Sequence, residues 1–122
     1  MTPVAVMPRV ELAPSEEQAG GSGSLEFAGL RIDTEVREVV VDTRVVELTR
    51  LEFDLLVHLA ATPRHVFSRG ALLFEVWHSS PDWQTAKTVT EHVRRLRHKI
   101  ESDPSRPRWI RTVSGAGYRF EP

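Results

Sequence analysis

The sequence contains no cysteine, and this absence excludes several kinds of site at once. A disulfide framework, a thiolate nucleophile and a cysteine-based zinc site all require that residue. Long apolar runs are missing too, and nothing approaches the roughly 18 consecutive apolar residues of a membrane-spanning helix. Residues 1–24 lack a long apolar core preceded by basic residues, so they do not have the pattern of a signal peptide. These absences favour a cytoplasmic protein.

The sequence also lacks the patterns of catalytic and metal sites. His92 and His98 are separated by about 600° around a helix, so they point in different directions and do not form a helical zinc motif. No serine lies in the Gly-x-Ser-x-Gly context of a nucleophile. We therefore expect no catalytic residues, no metal and no cofactor.

The net charge of −1 conceals an uneven distribution of charge. Residues 1–47 carry four Arg against nine Asp and Glu, whereas residues 48–122 carry twelve Lys and Arg against eight. Residues 87–99 alone hold five Lys and Arg with one Glu. A basic half within a near-neutral chain is the electrostatic pattern of a nucleic-acid site.

Residues 1–24 are rich in proline and end in a run of glycine and serine, which predicts a flexible tail or interdomain linker. Residues 25–122 are predicted to form one domain. Its first part has four short β-type runs, at 25–27, 30–33, 36–41 and 44–47, which predict an antiparallel meander. The last turn, Asp42-Thr43, is the weakest of these predictions, because Thr resists positive φ.

Two helices are predicted after the strands. Thr49 is the expected N-cap of the first, and Glu52 would complete a capping box with it. Pro63 ends this helix. Ser68 is the expected N-cap of the second, which runs to about residue 77.

A third helix, about residues 85–101, is the most informative segment. Its apolar residues recur at the spacing of one buried stripe: Val89, Val93, Leu96 and Ile100. The opposite side is mainly cationic, with Lys87, Glu91, Arg94, Arg95 and His98. The helix begins at Thr85 or at Thr88, and in the second case Thr88 and Glu91 would form another capping box. A basic helix of this length suits a DNA major groove.

Residues 109–121 have the pattern of strand, glycine-containing turn and strand. Two helices, the second basic, followed by a β-hairpin describe a helix-turn-helix with a wing. The predicted fold class is therefore α+β, a winged helix-turn-helix with an N-terminal four-stranded antiparallel sheet, three helices and a C-terminal β-hairpin wing.

These segments resemble the OmpR/PhoB-type winged-helix domain, the DNA-binding output half of bacterial two-component response regulators. The resemblance spans about residues 25–122. It rests on Leu48-Thr-Arg-Leu-Glu-Phe-Asp-Leu-Leu56, Val66-Phe-Ser-Arg69, Thr88-Val89, His92-Val-Arg-Arg-Leu-Arg97, Ile110-Arg-Thr-Val113, Gly115 and Gly117-Tyr-Arg-Phe120. It implies binding to direct repeats of double-stranded DNA, a second copy of the domain head to tail, and contact with RNA polymerase.

The resemblance also implies roles for single residues. Arg95 matches a base-reading position, and Thr88, His92, Arg94 and Arg97 match phosphate-contacting positions. The full predicted DNA-binding set is Lys87, Thr88, Glu91, His92, Arg94, Arg95, Arg97, Lys99, Arg111, Thr112 and Ser114. The loop 78–84 matches a polymerase-contacting loop, with Asp82 and Trp83 as the candidate contacts.

The chain departs from the family pattern at three points. Ser114 stands where the family often has a wing arginine, and Glu91 stands where an apolar residue commonly meets a thymine methyl group. No receiver domain precedes the predicted linker, so no phosphoacceptor aspartate is identified.

Two residues of the third helix keep alternative roles. Arg95 reads guanine O6 and N7 or only neutralises phosphate. Glu91 caps the helix with Thr88 or accepts a hydrogen bond from cytosine N4.

The prediction is a sequence-specific double-stranded DNA-binding domain in bacterial transcription regulation, with helix 85–101 in the major groove and hairpin 109–121 as the wing. The alternative is a winged-helix adaptor that mainly binds protein such as RNA polymerase. Ser114 favours that alternative, because the wing loses a cation there, although Arg111 and Arg119 could compensate.

Overall fold

The computed structural model describes residues 23–79 and 86–122. The described elements are β1 (Ser24–Phe27), β2 (Leu30–Asp33), β3 (Glu38–Val41), β4 (Arg44–Val46), α1 (Arg50–Ala60), α2 (Arg69–Glu75), α3 (Ala86–Ile100), β5 (Ile110–Val113) and β6 (Gly117–Phe120). Strands β1 to β4 form an antiparallel sheet in chain order, and β5 pairs with β6 as a hairpin. The predicted winged-helix fold is confirmed.

Some sequence predictions fall outside the described residues. They include nearly all of the predicted tail, together with Asp82 and Trp83. Ser24, which the sequence assigned to the tail, is the first residue of β1 and pairs with Asp33. No helix in the described ranges is long and apolar enough to cross a membrane.

The turns of the sheet use residues with positive φ. Strand β3 begins at Glu38, two residues later than predicted, because residues 34–37 form the turn. Asp33 supports that turn by accepting hydrogen bonds from the backbone N–H groups of Glu35 and Val36. In the last turn the positive φ, 57°, belongs to Asp42 and not to Thr43. Asp tolerates this conformation better than Thr, which explains how the sequence Asp-Thr can close the hairpin.

Helix α1 begins as the sequence predicts. The Thr49 side chain accepts a hydrogen bond from the Glu52 N–H, and the Glu52 carboxylate accepts one from the Thr49 N–H, which completes the capping box. Ser68 likewise caps α2 by accepting from the Ala71 N–H. Each cap satisfies backbone donors that the first turn of a helix leaves without partners.

Helix α3 begins at Ala86, so Thr88 lies inside its first turn and cannot be its N-cap. The predicted capping box of Thr88 with Glu91 is therefore wrong. The buried stripe is confirmed, since Val89, Val93 and Leu96 are all buried, as is the predicted fourth member, Ile100.

A single hydrophobic core joins the sheet, the three helices and the hairpin. Phe120 of β6 is fully buried, stacks on Trp109 and contacts Phe27 of β1, with ring centroids 5.8 and 4.7 Å away. Leu59 of α1 and Leu96 of α3 are also fully buried. This shared core fixes the orientation of α3 and of the hairpin relative to each other.

Lys99, which the sequence included among the DNA-binding residues, is directed toward α1. Its Nζ donates a hydrogen bond to Glu52 Oε1 at 2.7 Å, and the Glu52 side chain is 1% exposed. The prediction considered α3 alone, whereas α1 packs beside it and supplies the carboxylate. Lys99 is therefore a packing contact between α1 and α3, and we remove it from the candidate interface.

The Glu52–Lys99 pair should make the free energy of unfolding depend on pH. Burial tends to raise the pKa of Glu52, but bonds from Lys99 and Thr49 lower it below the ordinary 4.5. Ionised Glu52 therefore stabilises the fold above about pH 4.5, and this contribution is lost as the pH falls through the lower folded-state pKa.

We expect Glu52→Gln to cost about 1–3 kcal/mol of unfolding free energy at pH 7 and less at pH 3. Urea unfolding at both pH values would measure this difference. Glu47→Gln, at an exposed site directly after β4, is the control. An equal loss at both pH values would show that the Glu52 charge is not what stabilises the contact.

Candidate nucleic-acid interface

The exposed side of α3 carries a patch of cations. We call Lys87, Glu91, Arg94 and Arg95 the α3 outer face; Lys87, Arg94 and Arg95 are exposed, and Glu91 is partly exposed. They lie opposite the buried stripe, so packing of that stripe aims them outward. The charges available on this face are set by the contacts among its own members.

Glu91 lies between the two arginines. Arg94 donates to its carboxylate from Nε at 3.1 Å and from Nη2 at 2.6 Å, and Arg95 donates from Nε at 3.1 Å. These hydrogen bonds, Arg94 first, lower the pKa of Glu91 to about 2. Glu91 is therefore ionised at neutral pH, and its charge offsets one of the two arginines.

Arg97 faces the hairpin and not the outer face of α3. Its Nε and Nη2 donate to the Ile110 carbonyl at 3.1 and 2.9 Å, and Nη2 also donates to Thr112 Oγ1 at 2.7 Å. Its guanidinium carbon lies 5.6 Å from the centre of the Tyr118 ring. Burial lowers the pKa of Arg97 from its ordinary value. Arg97 therefore connects α3 to the hairpin, a role that the sequence did not indicate.

Glu101 makes a second connection between α3 and the hairpin. Although its side chain is buried, its carboxylate accepts hydrogen bonds from the backbone N–H groups of Arg108, Trp109 and Ile110 at 2.7 to 3.2 Å. Sequence reasoning missed this residue. The available signal was a carboxylate directly after a helix and nine positions before the start of β5 at Ile110.

The wing, residues 109–121, also carries cations. Arg111 on β5 lies directly opposite Arg119 on β6. Like charges in that position repel each other, so the pairing of Arg111 with Arg119 does not stabilise the hairpin. The charge of Arg119 is partly compensated by Glu121, whose carboxylate lies 3.1 Å from the Arg119 Nε. Thr112 and Ser114 are exposed. The wing therefore presents cations even though its turn carries Ser114.

One further arginine borders the same surface. Arg97, Arg106, Arg111 and Thr112 line a shallow groove between α3, the loop after it and the wing. Among the described residues, the side chains of Arg106 and Arg111 have no hydrogen bond or ion pair. Sequence reasoning did not include Arg106, because it lies in a loop outside both predicted elements.

Two further residues of the predicted DNA-binding set, Thr88 and His92, lie on α3 and are partly buried. The His92 Nδ1 is 2.9 Å from the Thr88 carbonyl, and its ring meets the edge of Trp77 with centroids 5.0 Å apart. Trp77, two residues after the end of α2, thereby packs against α3. Within the described residues, no group of His, Asp and Glu side chains could hold a metal ion.

The predicted DNA-binding residues lie on α3 and on the wing. Lys87, Glu91, Arg94 and Arg95 form the α3 outer face, Thr88 and His92 lie on α3 near Trp77, and Arg111, Thr112 and Ser114 lie on the wing. Arg97 lies between α3 and the wing, and Lys99 lies on the α1 side. A basic helix face held beside a basic hairpin can bind a polyanion along a continuous surface.

Comparison with known proteins connects this chain to a family. Residues 42–120 match the family described as "Transcriptional regulatory protein, C terminal". The transcriptional regulatory protein SrrA of Staphylococcus aureus is 44% identical over 98 residues, which are 80% of this chain and 40% of SrrA. The chain thus spans less than half the length of this relative.

Solved structures show the same architecture. The response regulator DrrB of Thermotoga maritima, an OmpR/PhoB homologue, matches with a TM-score of 0.77 and 27% identity, over 93% of this chain and 56% of DrrB. The RstA DNA-binding domain of Klebsiella pneumoniae, solved in complex with the RstA box, matches with a TM-score of 0.75 and 30% identity. That match covers 82% of this chain and 98% of the RstA domain.

Proposed function

The chain belongs to the family of C-terminal domains of transcriptional regulatory proteins, and from this premise we propose how its surface meets DNA. The domain is of the OmpR/PhoB winged-helix type, and the family is one of DNA-binding regulators and not of enzymes. Its function is sequence-specific binding of double-stranded DNA in bacterial transcription regulation. In our proposal α3 enters the major groove and the wing lies along the adjacent backbone and minor groove.

One observation carries this proposal. The cationic outer face of α3 and the cations of the wing are held in fixed relation by Arg97 and Glu101, which both bind the backbone of β5 or of the residues just before it. A major groove is wide enough for one helix, and the phosphates beside it would meet Arg106 and Arg111. Contacts to phosphate would supply affinity, and a few side chains of α3 would supply discrimination.

The described geometry supports proposed roles for individual residues. We assign base reading to Arg95, and phosphate contact to Lys87, Arg94, Arg106 and Arg111. Thr88, His92, Thr112 and Ser114 remain proposed neutral contacts at the edges of the surface. Arg97 would act mainly by holding the wing.

The proposal extends to partners of the DNA-bound domain. By its resemblance to the family, the domain would bind direct repeats with a second copy head to tail, and would meet RNA polymerase through loop 78–84, including Asp82 and Trp83. Phe74 of α2 is 71% exposed just before that loop, which supports a protein contact on this side. Residues 1–22 would serve as tail or linker, and the protein would act in the cytoplasm, where bacterial DNA lies.

A titration at several salt concentrations tests the DNA-binding proposal. It needs a duplex enriched from a random pool and a scrambled duplex of the same composition. We expect log K to fall linearly with log salt, with a slope of about −0.9 for each phosphate contact. Salt-independent binding, or none, would contradict DNA binding and favour the adaptor that mainly binds protein.

Arg95→Ala separates base reading from phosphate binding. We expect a loss of about 1–3 kcal/mol on the enriched duplex and much less on the scrambled one. Arg95→Lys should restore the positive charge but not the preference for the enriched duplex, because an ammonium group lacks the bidentate geometry of a guanidinium. The control is Arg44→Ala, which removes an exposed arginine of β4. An equal loss on both duplexes would make Arg95 a phosphate contact instead.

A further inference from the structure

The Glu91 carboxylate has an unusual position for a DNA-binding surface. It lies in the middle of the cations and is bonded to both arginines, while Glu91, Arg94 and Arg95 remain 39%, 58% and 52% exposed. A carboxylate near phosphates is repelled, so its presence should weaken binding to any DNA backbone. The three side chains together carry a net charge of only +1.

We propose that Glu91 is a specificity-determining residue, which positions Arg95 for a base edge and limits binding of Arg94 and Arg95 to phosphates of unrelated sequences. The inference deepens the proposed function and rests on it. It differs from the two roles that the sequence left open for Glu91, because in this proposal Glu91 acts through Arg94 and Arg95 and not as part of a helix cap or by its own contact with a base.

Arg94 and Arg95 bind Glu91 through different nitrogens, which supports a different effect of Glu91 on each arginine. Arg94 uses Nε and its terminal Nη2 to bind Glu91, so its planar group is largely occupied. Arg95 binds through Nε, and its two terminal nitrogens have no hydrogen-bond partner among the described residues. Those two nitrogens can donate a bidentate pair of hydrogen bonds to guanine O6 and N7. Glu91 can therefore fix the position of the Arg95 guanidinium through Nε, while both terminal nitrogens stay available for contact with a base.

The competition between Glu91 and DNA phosphates for the two arginines also favours discrimination between the preferred site and unrelated sequences. An exposed ion pair contributes little to stability, so the bond to Glu91 does not prevent a good site from engaging Arg95. A phosphate on an unrelated sequence, however, must compete with Glu91 for each guanidinium and also approach a negative charge. The cost of that competition falls on binding to scrambled DNA more than on binding to the preferred site.

Glu91→Gln tests this inference in the full chain. We expect affinity for a scrambled duplex to rise about three- to tenfold at moderate salt, and the salt slope to steepen by about one contact. Affinity for the enriched duplex should change less, so the ratio of the two affinities falls. Glu38→Gln is the matched control, because it removes an exposed carboxylate from β3 with the same change in net charge.

Glu91→Asp distinguishes positioning from charge. It keeps the carboxylate but withdraws it by one methylene, so the contacts to both arginines should weaken and the preference for the enriched duplex should fall. Thermal melts of each variant would verify that the domain stays folded. If Glu91→Asp keeps the wild-type preference, positioning by Glu91 is refuted.

Two other outcomes overturn the inference. Glu91→Gln could behave as Glu38→Gln does on both duplexes, which would leave Glu91 without influence. It could instead lose preference at a single base pair, which would make Glu91 a direct base reader. Failure of the proposed function looks different, because then the wild-type protein itself would show no salt-dependent binding to either duplex.

Discussion

Gly117→Ala should destabilise the domain by about 4 kcal/mol or more, which is a large part of the 5–15 kcal/mol typical of a folded domain. A Cβ at this position would lie 2.0 Å from the Phe67 carbonyl oxygen and 2.9 Å from Ser68 Cα. Both obstacles are backbone atoms, so no side-chain rotation relieves the collision. Gly117 also has φ +147°, which L-residues rarely adopt.

The collision would separate the wing from the segment before α2. Tyr118 and Phe67 exchange two backbone hydrogen bonds, at 2.8 and 2.9 Å, and Phe67 is buried. Chemical unfolding monitored by tryptophan fluorescence would measure the effect. Gly115→Ala is the matched control, because its φ is also positive, +74°, but nothing lies within 4 Å of the added Cβ. Equal losses for the two variants would show that backbone conformation, and not the contact with Phe67, makes Gly117 necessary.

The second large effect is expected at Glu101. Glu101→Ala leaves three backbone N–H groups without their acceptor, and two of them, those of Trp109 and Ile110, are buried. At 1–3 kcal/mol for each buried unsatisfied group, we expect a cost of roughly 2–6 kcal/mol. Glu101→Gln should cost less, because it keeps one of the two acceptor oxygens. Both variants should also weaken DNA binding, since the wing would no longer be held against α3.

Urea unfolding and the DNA titration should be measured on the same Glu101 variants. Glu47→Ala, at an exposed carboxylate, controls for the loss of charge. The assignment of Glu101 as the connection would be wrong if Glu101→Ala were as stable as that control. Loss of stability without loss of affinity would show that the wing needs no anchor for binding.

Local patterns in the sequence were enough to predict the elements. Thr49 and Glu52 form the predicted capping box, and Val93 and Leu96 belong to the predicted buried stripe. Both patterns depend on residues a few positions apart within one helix, so the chain itself contains all the geometry that they need. The family resemblance then supplied the arrangement of the elements.

The contacts between elements could not be predicted in the same way. A helical projection assigns Arg97 and Lys99 to solvent or to DNA, but it says nothing of the neighbours that approach. Lys99 meets Glu52, which is 47 positions earlier in the chain, and Arg97 meets the Ile110 carbonyl. Whether a cation is available for DNA depends on such partners, and only the packed structure reveals them.

The attachment of the wing suggests how binding preferences could change during evolution. Arg97 and Glu101 bind mainly backbone atoms of the first wing strand and of the residues just before it, and backbone atoms are the same for any residue placed there. Substitutions at Arg111 or Ser114 can therefore alter what the wing contacts while its attachment is retained. Paralogues could diversify their operator sequences through such outer positions, and a designer could vary these positions in a library without rebuilding the scaffold.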